Sequence, residues 1–501
     1  MDGFPIGTPA EGRPKLRMDA LFARGGYVDG EWRQSSRDGR TFCVVNKGDD
    51  RLLGELPDFG AAETLEAIAA ADAAGAGWAA RTANERSAIL KRWHQLIIEN
   101  VDDLAAILTA EQGKPLDEAR GEIRFGAAFV EWYAEEAKRV YGDFLPTYSK
   151  DRRIVVIRQP LGVVAAITPW NFPNGMVLRK LAPAIAVGCT VVVKPAEDTP
   201  YSCLALALLA ERAGLPAGVL NVVVCSGERA QDVGAVLTSD PRVRGLSFTG
   251  STEVGKLLMR QCADTVKVLG LELGGNAPFV VFDDADVEAA VAAAVASKFR
   301  ASGQTCVCAN RILVQRGIYE KFALRLVETV AKMIIGQGHE PGVQIGPLIN
   351  LEAVNKVERH VEDVISKGGR LLYGGARLHH LGLRFYQPTV VADVTEDMLL
   401  MQEETFGPLA PLMVFDSEEE AIRIANNTVY GLAGYFFTRD LARAWRVAEA
   451  IECGSIAINT GSFSSEAVPV GGFKQSGIGR EGSRLGVEDY LEVKQICFAG
   501  L

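Results

Sequence analysis

The chain has 501 residues, is 48% hydrophobic, and carries 53 Lys+Arg against 63 Asp+Glu for a formal charge of −10. Such a length allows about three domains with large cores and no need of disulfide staples. The acidic balance argues against a nucleic-acid or anionic-membrane binder, and no apolar run approaches the ~18 residues that span a bilayer. The longest candidate, Leu181–Val193, is broken by Pro183, Gly188 and Thr190. The first thirty residues mix acids with bases and lack an apolar stretch, so no secretory or transit leader is read there and the expected compartment is the cytoplasm.

Residues 61–80, 85–111 and 122–141 read as amphipathic helices, and Ile154–Arg158 as an exposed hairpin strand. A run of short apolar segments follows: Val163–Ile167, Thr190–Val193, Val219–Val224, Gly245–Phe248 and Val268–Leu271. The first four are each followed by a turn signal and a helical stretch, the rhythm of a parallel sheet with crossover helices. After Gly274-Gly275 a second series begins: Phe279–Phe282, a helix over 286–300, Arg311–Val314, a helix over 318–334, Leu412–Phe415 and Ser455–Asn459. This is an α/β chain with a domain boundary near residue 275.

Nine cysteines at irregular spacing argue against a disulfide framework. The five histidines form no His-x-x-x-His or His-Glu-x-x-His, and no Cys-x-x-Cys occurs, so no metal site is expected. A cysteine nucleophile in this chain would need a base other than histidine.

Gly477-Ile-Gly-Arg-Glu-Gly482 spells a dinucleotide pattern, but a loop precedes it and too little chain follows for a βαβ unit. Gly250-Ser-Thr-Glu-Val-Gly-Lys256 nearly spells a P-loop, with Leu257 where the metal-binding hydroxyl belongs. It opens a helix after a strand, a setting that favours a dinucleotide pyrophosphate over a nucleoside triphosphate. Leu271-Glu-Leu-Gly-Gly-Asn276 sets a carboxylate at a strand end, which by itself reads as an ordinary strand-end acid. Phe299-Arg-Ala-Ser-Gly-Gln-Thr-Cys-Val-Cys308 puts two cysteines on a loop at the domain junction. Spacing leaves two readings level: a thiolate nucleophile, or two packed cysteines.

Six motifs then fall in one order: Pro169-Trp-Asn-Phe-Pro173, Lys194-Pro-Ala-Glu197, Phe248-Thr-Gly-Ser-Thr252, Leu271-Glu-Leu-Gly-Gly275, Gly303-Gln-Thr-Cys306 and Glu403-Glu-Thr-Phe-Gly-Pro408. From about Tyr27 onward the chain resembles the aldehyde dehydrogenase superfamily. Cys306-Val-Cys-Ala-Asn310 and Gly482-Ser-Arg-Leu-Gly-Val-Glu-Asp-Tyr-Leu491 resemble its succinate-semialdehyde dehydrogenase branch in particular.

The resemblance implies two Rossmann-like α/β domains and a small β-hairpin oligomerisation arm. Residues 1–143 and 163–275 would form the dinucleotide-binding domain, 276–468 the catalytic domain, and 144–162 with 469–501 the arm and bridge. Cys306 would attack an aldehyde to give a thiohemiacetal, with the oxyanion held by the Asn171 side chain and the Cys306 N–H. Glu272 would activate the water that hydrolyses the later thioester. On the cofactor side the resemblance implies Trp170, Gly250, Ser251, Gly255, Leu273, Glu404 and Phe406, with Lys194 and Glu197 at the adenosine ribose. Glu197 would repel a 2′-phosphate, so NAD is expected over NADP, with NADP left open through Lys194.

Arg179 and Arg300 match the branch's carboxylate-binding arginines and Ser464 its substrate-loop serine, which implies succinate semialdehyde. The departures at Ser462-Phe463 and 465–470 leave glutarate semialdehyde or another aldehyde open, with Phe463 able either to narrow the pocket or to favour a flatter substrate. Cys308 would be a redox partner of Cys306. The family also implies a homodimer or homotetramer built through the hairpin and an edge strand in Tyr490–Cys497. Two other classes stand beside this reading: a cysteine-dependent thiol hydrolase or amidase, and a non-enzymatic binding protein on the same scaffold.

Overall fold

The computed structural model describes residues 11–23 and 25–500. The expectation of no leader falls partly on the first ten residues, which lie outside them. The chain begins with four short strands that the sequence reading did not anticipate: β1 (Gly26–Val28), β2 (Glu31–Arg33), β3 (Thr41–Val45) and β4 (Leu52–Pro57). Four helices follow: α1 (Ala61–Ala79), α2 (Ala83–Glu99), α3 (Val101–Gln112) and α4 (Leu116–Glu136).

The single helix expected over 85–111 is therefore two. Thr82 and Glu85 cap the start of α2 reciprocally, through the Glu85 N–H on the Thr82 hydroxyl at 3.3 Å and the Thr82 N–H on the Glu85 carboxylate at 2.7 Å. At its end Asn100 leaves helical angles (φ −111°, ψ 19°), and its side chain donates to the Leu96 carbonyl at 2.7 Å. Helix α4 starts earlier than expected, directly after Pro115, which has no N–H to leave unsatisfied.

The hairpin β5 (Asp143–Leu145) and β6 (Arg152–Pro160) leads into the first large sheet. Its units are β7 (Val163–Ile167), α5 (Gly175–Val187), β8 (Thr190–Lys194), α6 (Pro200–Arg212), β9 (Leu220–Val222), α7 (Ala230–Ser239), β10 (Val243–Thr249), α8 (Thr252–Cys262) and β11 (Val268–Glu272). The parallel order is β11-β10-β7-β8-β9, with β1 and β2 added antiparallel beyond β9. The chain builds outward from β7 to β9, then returns to lay β10 on the other side of β7. Strand order therefore reverses between β7 and β10, and in open α/β sheets a ligand crevice lies at such a switch, outside the carboxyl ends of the strands. The loops after β7 and β10 are those that carry Trp170-Asn171 and Gly250-Ser251.

The second sheet comprises β12 (Ala277–Val281), α9 (Val287–Lys298), β13 (Ala309–Gln315), α10 (Tyr319–Val330), α11 (Leu351–Ser366), β14 (Arg370–Tyr373), β15 (Thr389–Ala392), α12 (Leu399–Gln402), β16 (Leu409–Phe415), α13 (Glu418–Asn426), β17 (Ala433–Phe437), α14 (Leu441–Ala450) and β18 (Ser455–Ile458). Its order is β14-β15-β16-β13-β12-β17-β18. Each large sheet packs its own apolar clusters. The chain then crosses back: β19 (Gly477–Ile478) pairs with β11, and β20 (Leu491–Ala499) pairs antiparallel with β6 as the edge of a three-stranded sheet. Phe144, Tyr148, Val493 and Phe498 stand at least half exposed on this arm. Among the described residues no helix is long and apolar enough to cross a membrane.

Candidate active site

A cavity of about 560 Å³ opens at the switch point. It brings together twelve of the residues singled out from sequence: Trp170, Asn171, Arg179, Gly250, Ser251, Glu272, Leu273, Arg300, Cys306, Glu404, Phe406 and Ser464. Lys194, Glu197, Gly255 and Cys308 lie outside its lining.

Cys306 is half-buried in the connection between α9 and β13. The turn before it is tight: Ala301 (φ 48°), Ser302 (φ 57°) and Gly303 (φ 77°) are all left-handed. Ser302 Oγ donates to the Gly346 carbonyl at 2.9 Å, and a β-carbon on Gly303 would collide with the Gly407 carbonyl. Gly275 is required for the same kind of reason, since a β-carbon there would strike the Cys306 carbonyl oxygen. Asn171 reaches across from the end of β7, and its Nδ2 donates to the Gln304 carbonyl at 2.9 Å. That bond uses one of the two amide hydrogens and leaves the other for a ligand. Burial, reinforced by Glu404 and opposed by Arg179, pushes the Cys306 thiol up to about 12.

Glu272 ends β11 on the facing side. Its Oε1 is buried without a hydrogen-bond partner, and its Oε2 lies 3.6 Å from the Arg179 guanidinium. Burial and then the Glu481 charge raise its carboxyl to about 7, against Arg179 and Lys180. The guanidinium of Arg179 is already engaged: its Nε bonds Glu481, which also takes Lys180 Nζ at 2.5 Å. Sequence reasoning missed Glu481, although it sits inside the glycine pattern at 477–482. It missed Lys114, Glu118, Glu122 and Lys356 as well, all of which line the cavity.

Glu404 accepts the Gly275 N–H at 3.1 Å, and burial raises its carboxyl to about 7 against that bond. Trp170 and Phe406 meet edge-on with ring centroids 5.5 Å apart. Ser251 caps α8 by accepting the Val254 N–H at 3.2 Å, and Gly255 packs against Leu273. Lys194 and Glu197 pair at 3.2 Å, with 41% of the Glu197 side chain exposed. Burial works against the Glu197 carboxylate, but Lys194, a backbone hydrogen bond and the Lys47 charge together hold the carboxyl below its usual range. Thr249 Oγ1, at the cavity wall, is buried and unpartnered. An open helix start, a free buried hydroxyl and a partly exposed ionised carboxylate fit a nicotinamide dinucleotide.

On the substrate side, Arg300 has no ion pair among the described residues, and its buried Nε has no hydrogen-bond partner. Its guanidinium lies over the Phe172 ring at 5.6 Å. Of the two effects read for Phe463, narrowing of the pocket is not seen, since the side chain is outside the cavity lining. It packs on Tyr435 at 5.7 Å between centroids, joins the second core and leaves Ser462 and Ser464 at the cavity wall. Cys308 is buried with its Sγ 3.5 Å from Lys298 Nζ.

The model of the aldehyde dehydrogenase family matches residues 32–496. The chain is 55% identical to a glutarate-semialdehyde dehydrogenase of Pseudomonas aeruginosa, covering 97% of this chain and 100% of that one. It is 54% identical to an NADP(+) succinate-semialdehyde dehydrogenase of Escherichia coli, covering 96% and 99%. The structure of a succinate-semialdehyde dehydrogenase from Burkholderia pseudomallei superposes with a TM-score of 0.95 at 56% identity, covering 97% of this chain and all of that one. The chain therefore belongs to the aldehyde dehydrogenase family and is an NAD(P)-dependent aldehyde dehydrogenase.

Proposed function

We propose that the protein oxidises a semialdehyde bearing a distal carboxylate, succinate or glutarate semialdehyde, with Cys306 as nucleophile and NAD preferred over NADP. The observation that carries this reading is the unpaired Arg300 in the cavity that Cys306 lines. Relatives named for both semialdehydes support it.

Cys306 Sγ attacks the aldehyde carbon. Burial holds the Cys306 thiol up at about 12, so it reacts as the thiol, and its proton is released to solvent at the open cavity as the C–S bond forms, leaving Glu272 ionised for the later step. The oxyanion of the thiohemiacetal is met by the second Asn171 Nδ2 hydrogen and the Cys306 N–H. When bound, the nicotinamide ring supplies the hydride acceptor that leaves a thioester on Cys306. Glu272, as a carboxylate, takes a proton from the water that hydrolyses this thioester, releasing the acid and restoring the thiol. Glu404, Thr249 and the start of α8 would hold the cofactor, with Glu197 facing its adenosine ribose. In this reading residues 1–143 and 163–275 bind the dinucleotide, 276–468 carry the nucleophile, and the apolar arm at 144–162 and 469–501 joins copies into a dimer or tetramer.

The test compares kcat/KM for succinate semialdehyde, glutarate semialdehyde and an uncharged aldehyde of equal length, each with NAD and NADP. A clear preference for the charged aldehydes with NAD is expected. An uncharged aldehyde turned over equally well refutes the carboxylate reading, and a preference for NADP refutes the cofactor reading. The thiol hydrolase alternative draws no support from the relatives, and acid formed without any nicotinamide cofactor would restore it.

A further inference from the structure

Helix α4 is approached by Lys114 in the turn before it and presents Glu118 and Glu122 one and two turns along, so the three share a face. That face touches both halves of the site. Lys114 is fully buried, forms an ion pair with Glu122, lies 3.7 Å over the Phe172 ring, and donates from Nζ to the Asn171 carbonyl at 2.8 Å. Glu122 Oε1 accepts the Asn174 and Gly175 N–H groups at 3.0 and 3.1 Å. A carboxylate thus sits on the first turn of α5, where it complements the helix dipole and fixes the end of the Asn171 loop. Glu118 Oε2 accepts the Ala301 N–H at 2.8 Å, on the opposite wall. Ala301 and Ser302 are left-handed residues with side chains, a conformation that persists only where its surroundings over-determine it.

We propose that Lys114, Glu118 and Glu122 form a positioning clamp: one helix face grips the Asn171 loop and the turn leading to Cys306, and so sets the separation between the oxyanion donor and the nucleophile. None of the three needs to touch the reacting atoms. The proposal rests on the reading of Asn171 as an oxyanion donor.

A double-mutant cycle and active-site titration test it. Misplacing a catalytic group by about 1 Å can cost on the order of 100-fold. Lys114→Met is expected to lower kcat by roughly 10- to 100-fold while the KM for the dinucleotide and the burst amplitude per folded site are kept. In an Asn171→Ala background the same substitution adds little, because the residue acts through Asn171. Glu118→Leu is expected to slow the burst and the alkylation of Cys306 by iodoacetamide. Glu118→Gln retains an acceptor for the Ala301 N–H and restores both. Glu118 is only half-buried, so this pair remains informative if Lys114→Met folds poorly.

A Lys114→Met loss that multiplies fully with a slow Asn171→Ala enzyme overturns the clamp alone. So does a loss that merely tracks the folded fraction, or equal behaviour of Glu118→Leu and Glu118→Gln. Asn171→Ala at the wild-type rate overturns the oxyanion reading and the clamp together.

Discussion

Two arginines line the cavity, and the structure gives them different expected phenotypes. Arg300 lacks an ion pair among the described residues, whereas Arg179 is bound to Glu481 and lies 3.6 Å from Glu272. A substrate carboxylate meeting Arg300 forms a charge-assisted, bidentate contact. Truncating one partner of a buried pair costs roughly 2–5 kcal/mol, and the partial exposure of Arg300 argues for the lower part of that range. At about 2–3 kcal/mol, Arg300→Ala raises KM for a carboxylate semialdehyde roughly 30- to 150-fold, with an uncharged aldehyde unaffected.

Arg179→Ala acts elsewhere. It leaves Glu481 to Lys180 and removes the nearest cation from Glu272, whose carboxyl near 7 is held down in part by that charge. Losing that charge raises the carboxyl further and lowers the ionised fraction at neutral pH. Turnover at neutral pH should then fall several-fold for charged and uncharged aldehydes alike and recover as the pH is raised. This alters the sequence-based view of Arg179, which on its own implied a carboxylate-selective defect. Initial rates of cofactor reduction, with both aldehydes between pH 6 and 9, separate the two cases. The reasoning is refuted if Arg300→Ala harms both aldehydes equally, or if Arg179→Ala is selective and leaves the pH profile in place.

Wild-type turnover should climb with pH through about 7, because Glu272 serves as base only when ionised, and Glu272→Gln should give one reduced cofactor per site and then stall. Rapid-mixing absorbance reads both, and sustained turnover by Glu272→Gln excludes the base role. Glu197→Ser should cut the NAD:NADP ratio of kcat/KM by about tenfold or more by removing the charge that opposes a 2′-phosphate. An unchanged ratio excludes that role. Arg311 is fully buried and donates to the carbonyls of Asn276, Ile424 and Ala425 at 2.9, 2.8 and 2.7 Å, so Arg311→Met strands three acceptors and should destabilise the fold by about 3–5 kcal/mol in denaturant titration. A loss below about 1 kcal/mol would show those carbonyls satisfied without it.

The parallel sheets were legible because their strands are buried on both faces and read as unbroken apolar runs, as in Val191-Val192-Val193. The same rhythm places Glu272 at a strand end before the glycine pair, but its role was legible only through the family resemblance. Strands β1 and β2 were not legible, since three residues carry no periodicity. Helix α11 does carry the helical period, through Val354, Val357, Val361 and Val364, and lies outside the elements that the strand–helix rhythm marks. The charged supports were hidden for a different reason. Arg179 and Glu481 are 302 positions apart, and Lys114 and Asn171 are 57 apart, so no local pattern announces that each pair meets. Phe463 misled because a side chain's direction depends on its neighbours, here Tyr435.

The cavity wall explains why selectivity should rest on Arg300. Among the described residues it is lined by the carboxylates of Glu118, Glu122, Glu272 and Glu404 and by the cations Lys114, Arg179, Arg300 and Lys356. Two of these cations form ion pairs within the protein, Lys114 with Glu122 and Arg179 with Glu481 beside Glu272. Lys356 and Arg300 form none among the described residues, and feel only the more distant charges of Glu404 and Glu403 and of Glu118 respectively. Glu118 is occupied by the Ala301 N–H. Arg300 therefore keeps a guanidinium whose buried Nε has no partner, a cost the free enzyme carries. A ligand with a distal carboxylate relieves that cost, and an uncharged aldehyde of the same length leaves it in place. On the proposed reading, then, discrimination rests on Arg300, which has no ion pair among the described residues, while the chemistry at Cys306 is the same for either aldehyde.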